Sequence, residues 1–277
     1  MTKQTDQKHI HQLGALGTKR KFRNRNDLNV SRKVQHAISG LIFACFYNYN
    51  HVIFYRLLTV LVIGTFLVEI LRRVEEFDWI NSVILTLCGN TLREHEMLKD
   101  ENRSIMNMTG SFYFFTGTWI TATCFCPLSV ILGTIQLGIA DPACSYVGCL
   151  TRDVKWSRYR GKGLLGILAG TLCCIPLNYQ ILTNSNWKEE VDVPSSTTVF
   201  YLSVLIGLSG SFADWMVPSP TLSLTRSFAV GGISIPRIHL DDNLVIPVFT
   251  ASVASITFSV FDWSVEEISD SKPYLFV

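Results

Sequence analysis

An all-α fold, a polytopic integral membrane protein with about seven transmembrane helices, follows from three observations on this 277-residue chain. Hydrophobic residues make up 48% of it against 17% charged, and the mean hydropathy is positive, a balance uncommon in soluble domains. Seven mainly apolar stretches recur with short polar punctuation, each near the ~20 residues needed to span a bilayer. The charge is also lopsided: residues 1–36 hold nine Lys or Arg against the acids Asp6 and Asp27, so a basic tail precedes an apolar body.

The tail, residues 1–31, is expected to be disordered and cytosolic. The first apolar run begins near Ala37, behind too long a polar leader for a cleavable signal peptide. A basic stretch ahead of a hydrophobic segment is most simply an orientation signal, able to attract anionic headgroups; nucleic acid is not the expected partner.

Residues 34–49 and 52–71 read as a helical hairpin whose second arm ends at Glu69, Arg72 and Arg73. Residues 77–106 mix Trp79, Ile80, Ile84 and Leu87 with the charged run LREHEMLKDENR, which suggests an interfacial amphipathic helix. Crossings at 110–125 and 128–148 are divided by Pro127, suited to a tight turn and costly within a helix. The second of them carries Asp141-Pro142, where an interruption is possible. Further crossings are expected at 163–182, 199–216 and 243–260, so that 32–260 forms one transmembrane domain and 261–277 an acidic lumenal tail. The eight cysteines lie mostly in apolar stretches without zinc-site spacing and read as small packing residues.

Lys and Arg accumulate in short cytosolic loops. TRDVKWSRYRGK, residues 151–162, is therefore placed in the cytosol, and the acid-rich 183–198 segment and C-terminal tail in the lumen. Seven crossings with the N-terminus inside satisfy every loop. The sequons at Asn29, Asn102 and Asn107 then all fall on the cytosolic side, where N-glycosylation does not occur.

Ionisable side chains at membrane depth cost about 2.5–3.5 kcal/mol on insertion scales, so each asks for a reason. Glu69, Asp141, Asp214, Asp241 and Asp242, with Arg32, Lys33 and His36 at the mouth of the first helix, all fall near cytosolic helix ends. Carboxylates for metal ions and a base, beside cations for phosphates, are the parts phosphoryl transfer needs. The bland reading is a solvated or ion-paired acid, strongest for Glu69 beside Arg72 and Arg73. It is weakest for Asp141 inside GIADPACSYVG, whose small residues allow close backbone approach, as at Gly138, Ala140 and Gly148. No phosphate loop, protein-kinase motif set or Ser-His-Asp signature is present.

The segments RKVQHAISG, REHE then GSFYFFTG, DPACSYVG, GKGLLGILAG and LDDNLVIPV occur in the order seen in the CTP-dependent lipid kinases. The chain resembles that family, which includes fungal diacylglycerol kinase, dolichol kinase and phytol kinase and is related to the phosphatidate cytidylyltransferases, over roughly residues 31–255; it looks most similar to the diacylglycerol kinases. The resemblance implies a lipid kinase domain that transfers the γ-phosphate of CTP to diacylglycerol with a divalent cation, Mg2+ or Ca2+, in the endoplasmic reticulum membrane and nuclear envelope. It puts the family's basic pair on Arg32 and Lys33, and its aspartate and glycine on Asp141 and Gly148. Polyprenol kinases usually show Lys-Ser and a glutamate where this chain has Lys162-Gly163 and Leu165, which weakens a dolichol or phytol assignment. On this reading Arg32, Lys33 and Lys162, with His36, hold the CTP phosphates. Asp141, Asp242 and Asp241 hold the metal, and Asp141, Asp242 or Asp214 handles the lipid hydroxyl, with base and ligand not distinguished. A cytidylyltransferase, a polyprenol kinase and a transporter of an anionic metabolite remain the alternatives.

Overall fold

A cap, not the first apolar residue, decides where the first helix begins. The Asn29 side chain accepts the Arg32 amide at 3.1 Å, satisfying one of the donors that a helix start leaves free. In the computed structural model α1 therefore runs Val30–Tyr49, four residues earlier than hydropathy alone places it. Arg32 and Lys33 thus belong to the first helical turn, and the Asn29 amide of the first sequon is engaged in the cap. The structure describes residues 29–89, 91–92, 96, 108–151, 153–154, 158–159, 162–185, 195–217, 228–230, 233–235, 240–261 and 263; the sequons at Asn102 and Asn107, the basic tail to residue 28 and most of the acidic tail lie outside them.

Asn50 caps α2 (His51–Leu71) in the same way, accepting the Ile53 amide at 2.9 Å, so the expected hairpin turns on one residue. A short 3-10 turn, Glu75–Phe77, leads into α3 (Asp78–Cys88). This helix stops at Cys88 and does not continue to residue 106. Gly89 follows, a poor helix former, and Thr91, Leu92 and Glu96 then fold inward, with Leu92 and Glu96 buried.

Next come α4 (Gly110–Cys124) and α5 (Pro127–Leu150). Pro127 opens α5, where its missing N–H would be unpaired in any case. Pro142 lies inside α5, yet the helix is continuous to Leu150. The lost amide is the one that would reach Gly138, a local defect that neighbouring helices accommodate. An interruption at Asp141-Pro142, of the kind used by transporters, is therefore not formed.

A small antiparallel hairpin, β1 (Arg158–Tyr159) with β2 (Lys162–Gly163), precedes α6 (Leu164–Thr183) and α7 (Ser196–Met216). A second hairpin, β3 (Phe228–Val230) with β4 (Ile233–Ile235), precedes α8 (Asp242–Val260). The described fold is thus helical apart from these two hairpins, with a helix near each of the seven expected places. Five of these, α2, α5, α6, α7 and α8, are long and apolar enough to cross a membrane by length and composition. The other two are α4, with 15 residues, and α1, whose first two turns carry Arg32, Lys33, Gln35 and His36.

At the centre stands α5, packed against α1, α4, α6, α7 and α8, with 78% of its apolar window buried, whereas α2 at the periphery has 11%. Ile53, Leu57, Val60, Ile63 and Leu67 of α2 point outward, the surface expected of a helix facing lipid. Small residues set the helix spacing. A Cβ added at Gly40 of α1 would run into the Gly138 backbone of α5; one at Gly133 would meet the Pro247 carbonyl at 2.6 Å, and one at Gly117 the Asn243 carbonyl at 2.5 Å. Gly138 and Gly40 are thus helix-to-helix contacts. Gly40→Leu should cost about 1–3 kcal/mol through overpacking, read as a lower thermal midpoint in detergent. Gly64→Leu is the control, because nothing lies within 4 Å of a Cβ there; equal midpoints for the two variants would refute the contact.

Candidate functional site

Helix direction alternates so that the start of α1, the end of α2, the start of α4, the end halves of α5 and α7, the start of α6 and the start of α8 meet at one end of the bundle. The ionisable residues that the sequence places near helix ends therefore converge. Asp141 is in the second half of α5, Asp214 in the final turn of α7, and Asp242 is the first residue of α8. One carboxylate oxygen from each lies within 4.8 Å of the others, and all three residues are buried. Three like charges out of water repel strongly and need a counter-charge to remain ionised.

Lys33 supplies one such charge. Its Nζ donates to both Asp141 oxygens, at 3.0 and 2.9 Å, and Ser145, one turn further along α5, donates to Oδ1 at 3.3 Å. His36, one turn beyond Arg32, brings Nε2 to 3.6 Å from Asp141 Oδ2 and packs edge-on against Phe114. Asp241 takes a different part. Its side chain caps α8, accepting the Asn243 amide at 3.0 Å, and it is not one of the three clustered carboxylates.

Beside the carboxylates runs a second polar network that hydropathy did not single out. Arg32 Nη1 donates to the Thr91 carbonyl at 2.8 Å and to Glu96 at 3.3 Å. Glu96 also accepts the Gly110 amide at 3.1 Å, and Asn243 Nδ2 donates to the Gly110 carbonyl at 3.0 Å. This ties α1, α4 and α8 together around the first residue of α4. A side chain at Gly110 would collide with the Arg32 guanidinium.

Glu69 forms ion pairs with Arg72 and Arg73, both at 3.4 Å, and accepts the Thr109 amide at 2.9 Å. Arg73 also donates to the Glu69 carbonyl. Arg72 Nη2 donates to the Glu96 carbonyl at 2.6 Å. Burial pulls the Arg73 guanidinium down to about 10, against the pull of Glu69, so it stays charged at neutral pH. Glu69 is thus a structural acid. The signal that could have found Glu96 is a counting one: Arg32, Arg72 and Arg73 near membrane depth need buried acceptors, and Glu69 alone cannot serve all three.

The remaining expected residues are placed more loosely. Gly148 lies in the last turn of α5, with nothing within 4 Å of an added Cβ. Lys162 is placed by its backbone in β2, in register with Tyr159, and β2 packs against α5 and α6; its side chain lies outside the described part.

The donor set suits a hard divalent cation. Opposite ligands across Mg2+ are about 4.1 Å apart and across Ca2+ about 4.6–5.2 Å, from metal–oxygen distances of ~2.0–2.6 Å, so oxygens within 4.8 Å of one another fit one such ion. Carboxylates are also the ligand class these ions prefer. No family model, no curated protein and no solved structure matches this chain.

Proposed function

We propose that this chain is a CTP-dependent lipid kinase that transfers the γ-phosphate of CTP to diacylglycerol, giving phosphatidate and CDP. The observation that carries the proposal is the buried group Asp141, Asp214 and Asp242 beside Lys33, at the end of a bundle whose outer helices face lipid. Buried acids this close are hard to explain as packing, since each burial costs several kcal/mol without a compensating cation.

A divalent cation held by Asp141, Asp214 and Asp242 would supply neutralisation of the β- and γ-phosphate oxygens. Lys33, already fixed on both oxygens of Asp141, is positioned to bind a phosphate oxygen with its remaining donor. Arg32 is committed to Glu96 and Thr91, so its role is to hold the starts of α1 and α4 in place. The lipid hydroxyl oxygen forms the new bond to the γ-phosphorus, the bond from that phosphorus to the bridging oxygen breaks, and CDP leaves. The hydroxyl proton passes to one of the carboxylates and then to solvent.

On this proposal seven helices cross the bilayer, with the site at the cytosolic face of the endoplasmic reticulum membrane and nuclear envelope. The site's position near helix ends would put it at headgroup depth, where a lipid hydroxyl and a soluble nucleotide can meet.

Purified full-length protein in mixed micelles, given γ-labelled CTP with diacylglycerol, should yield labelled phosphatidate and unlabelled CDP. Chelation should abolish the transfer, and added Mg2+ or Ca2+ should restore it. Label from ATP in place of CTP would change the donor, label on dolichol the acceptor, and pyrophosphate release would mean a cytidylyltransferase. No nucleotide consumption with any lipid would overturn the kinase reading.

A further inference from the structure

A cavity of about 400 Å³ lies between α1, α2, α3 and α4, inside the ~300–1,000 Å³ range of small-molecule sites. Its two ends differ in chemistry. Arg32, His36, Glu96 and Asn243 line one end, and Phe43, Leu61 and Phe115 line the other. Leu61 is ten residues before the end of α2, about 15 Å at 1.5 Å per residue, so the apolar end reaches well into the hydrocarbon layer.

The polar end abuts the carboxylates. His36 Nε2 has no hydrogen-bond partner and lies 3.6 Å from Asp141 Oδ2, while Asn243 is the residue after Asp242. A molecule in the cavity can thus place one polar atom at His36, the lining residue next to Asp141, and keep the rest among aromatic and aliphatic side chains. A nucleoside triphosphate is poorly served here: Arg32 is bound to Glu96, that carboxylate repels phosphate, and the deep wall offers apolar contact instead of donors.

We infer that this cavity is the acceptor site, taking a glycerolipid alcohol with its hydroxyl at His36, on the side facing Asp141, and its acyl chains along Phe43, Leu61 and Phe115. The chains continue into the bilayer past α2, the least buried of the five long apolar helices. The nucleotide then approaches the carboxylates from elsewhere on the cytosolic face. This assignment rests on the lipid kinase reading for its substrate class, though the cavity itself can be tested without turnover.

Full-length protein in mixed micelles is irradiated with a diacylglycerol carrying a photoactivatable group in one acyl chain, and labelled peptides are mapped by mass spectrometry. Label should fall on the segments bearing Phe43, Leu61 and Phe115 and be competed by unlabelled diacylglycerol. Leu61→Trp, which fills the apolar end, should raise the KM for diacylglycerol about tenfold and leave the KM for CTP unchanged. Val60→Trp, on the outward face of α2 at 66% exposure, should leave both unchanged. Label confined to α6 or α7, or a Leu61→Trp effect on CTP alone, would overturn the assignment. Absence of phosphate transfer in the wild type would remove the kinase reading, while the labelling pattern would still decide the cavity.

Discussion

Under the proposed lipid kinase activity, Asp141→Asn is expected to reduce CTP-dependent phosphorylation by about 1,000-fold, the upper range for removing one preorganised electrostatic group from a water-excluded site. The substitution keeps the shape of the side chain and removes one of the three clustered charges. It also takes the counter-charge from the Lys33 ammonium, which sits 2.9 Å from the carboxylate, so lost activity alone would not separate chemistry from folding. The double variant Lys33→Met with Asp141→Asn makes that separation. Removing both partners relieves the unpaired buried charge that removing one creates. The double variant should therefore recover the thermal midpoint of the wild type while remaining inactive and binding Mn2+ more weakly by paramagnetic resonance. Activity retained in Asp141→Asn would sink the assignment of the carboxylate group as the reaction centre.

Glu69→Ala should produce the largest loss of stability among the residues described. Glu69 is 2% exposed and is the shared partner of Arg72 and Arg73 and of the Thr109 amide. Its removal leaves two guanidinium groups short of a counter-ion in a buried position, at a cost of about 3–5 kcal/mol. A drop of roughly 10 °C in the unfolding midpoint of the detergent-purified protein follows from that cost. Glu69→Gln should fall between, because it keeps an acceptor for the Thr109 amide and loses only the charge. An unchanged midpoint in Glu69→Ala would show that the cations find other acceptors.

The contrast between Asp141 and Glu69 marks what could be read from residue order alone. Hydropathy placed a helix near each of seven stretches, five of them long and apolar enough to span, because runs of about 20 apolar residues are a coarse signal. It could not locate the start of α1, which a single side-chain cap at Asn29 decides. It could not show that α5 stays helical through Pro142, since helices elsewhere in the chain supply the packing that tolerates the defect. Convergence of Asp141, Asp214 and Asp242 required only that alternate helix ends face the same way. Asp241 and Asp242 are adjacent in the chain, but at a helix start successive residues leave in directions about 100° apart, so one caps the helix and the other turns to the cluster. Glu96 was hidden for another reason: within a charged run, nothing local distinguishes a solvated glutamate from one that crosses to a distant arginine.

The contact between Gly40 and Gly138 acts as a fixed reference length for the carboxylate cluster. Lys33 lies seven residues before Gly40, about 10 Å along the helix axis, and Asp141 is less than one turn beyond Gly138. Where two backbones touch, van der Waals repulsion sets the separation and is far stiffer than any charge interaction. The carboxylates are consequently kept at working distance by the helices behind them whatever ions are present, and their mutual repulsion is met during folding. A cation arriving at such a frame would need to reorganise little, and a displacement of α1 by one methyl group would be transmitted along its axis to Lys33.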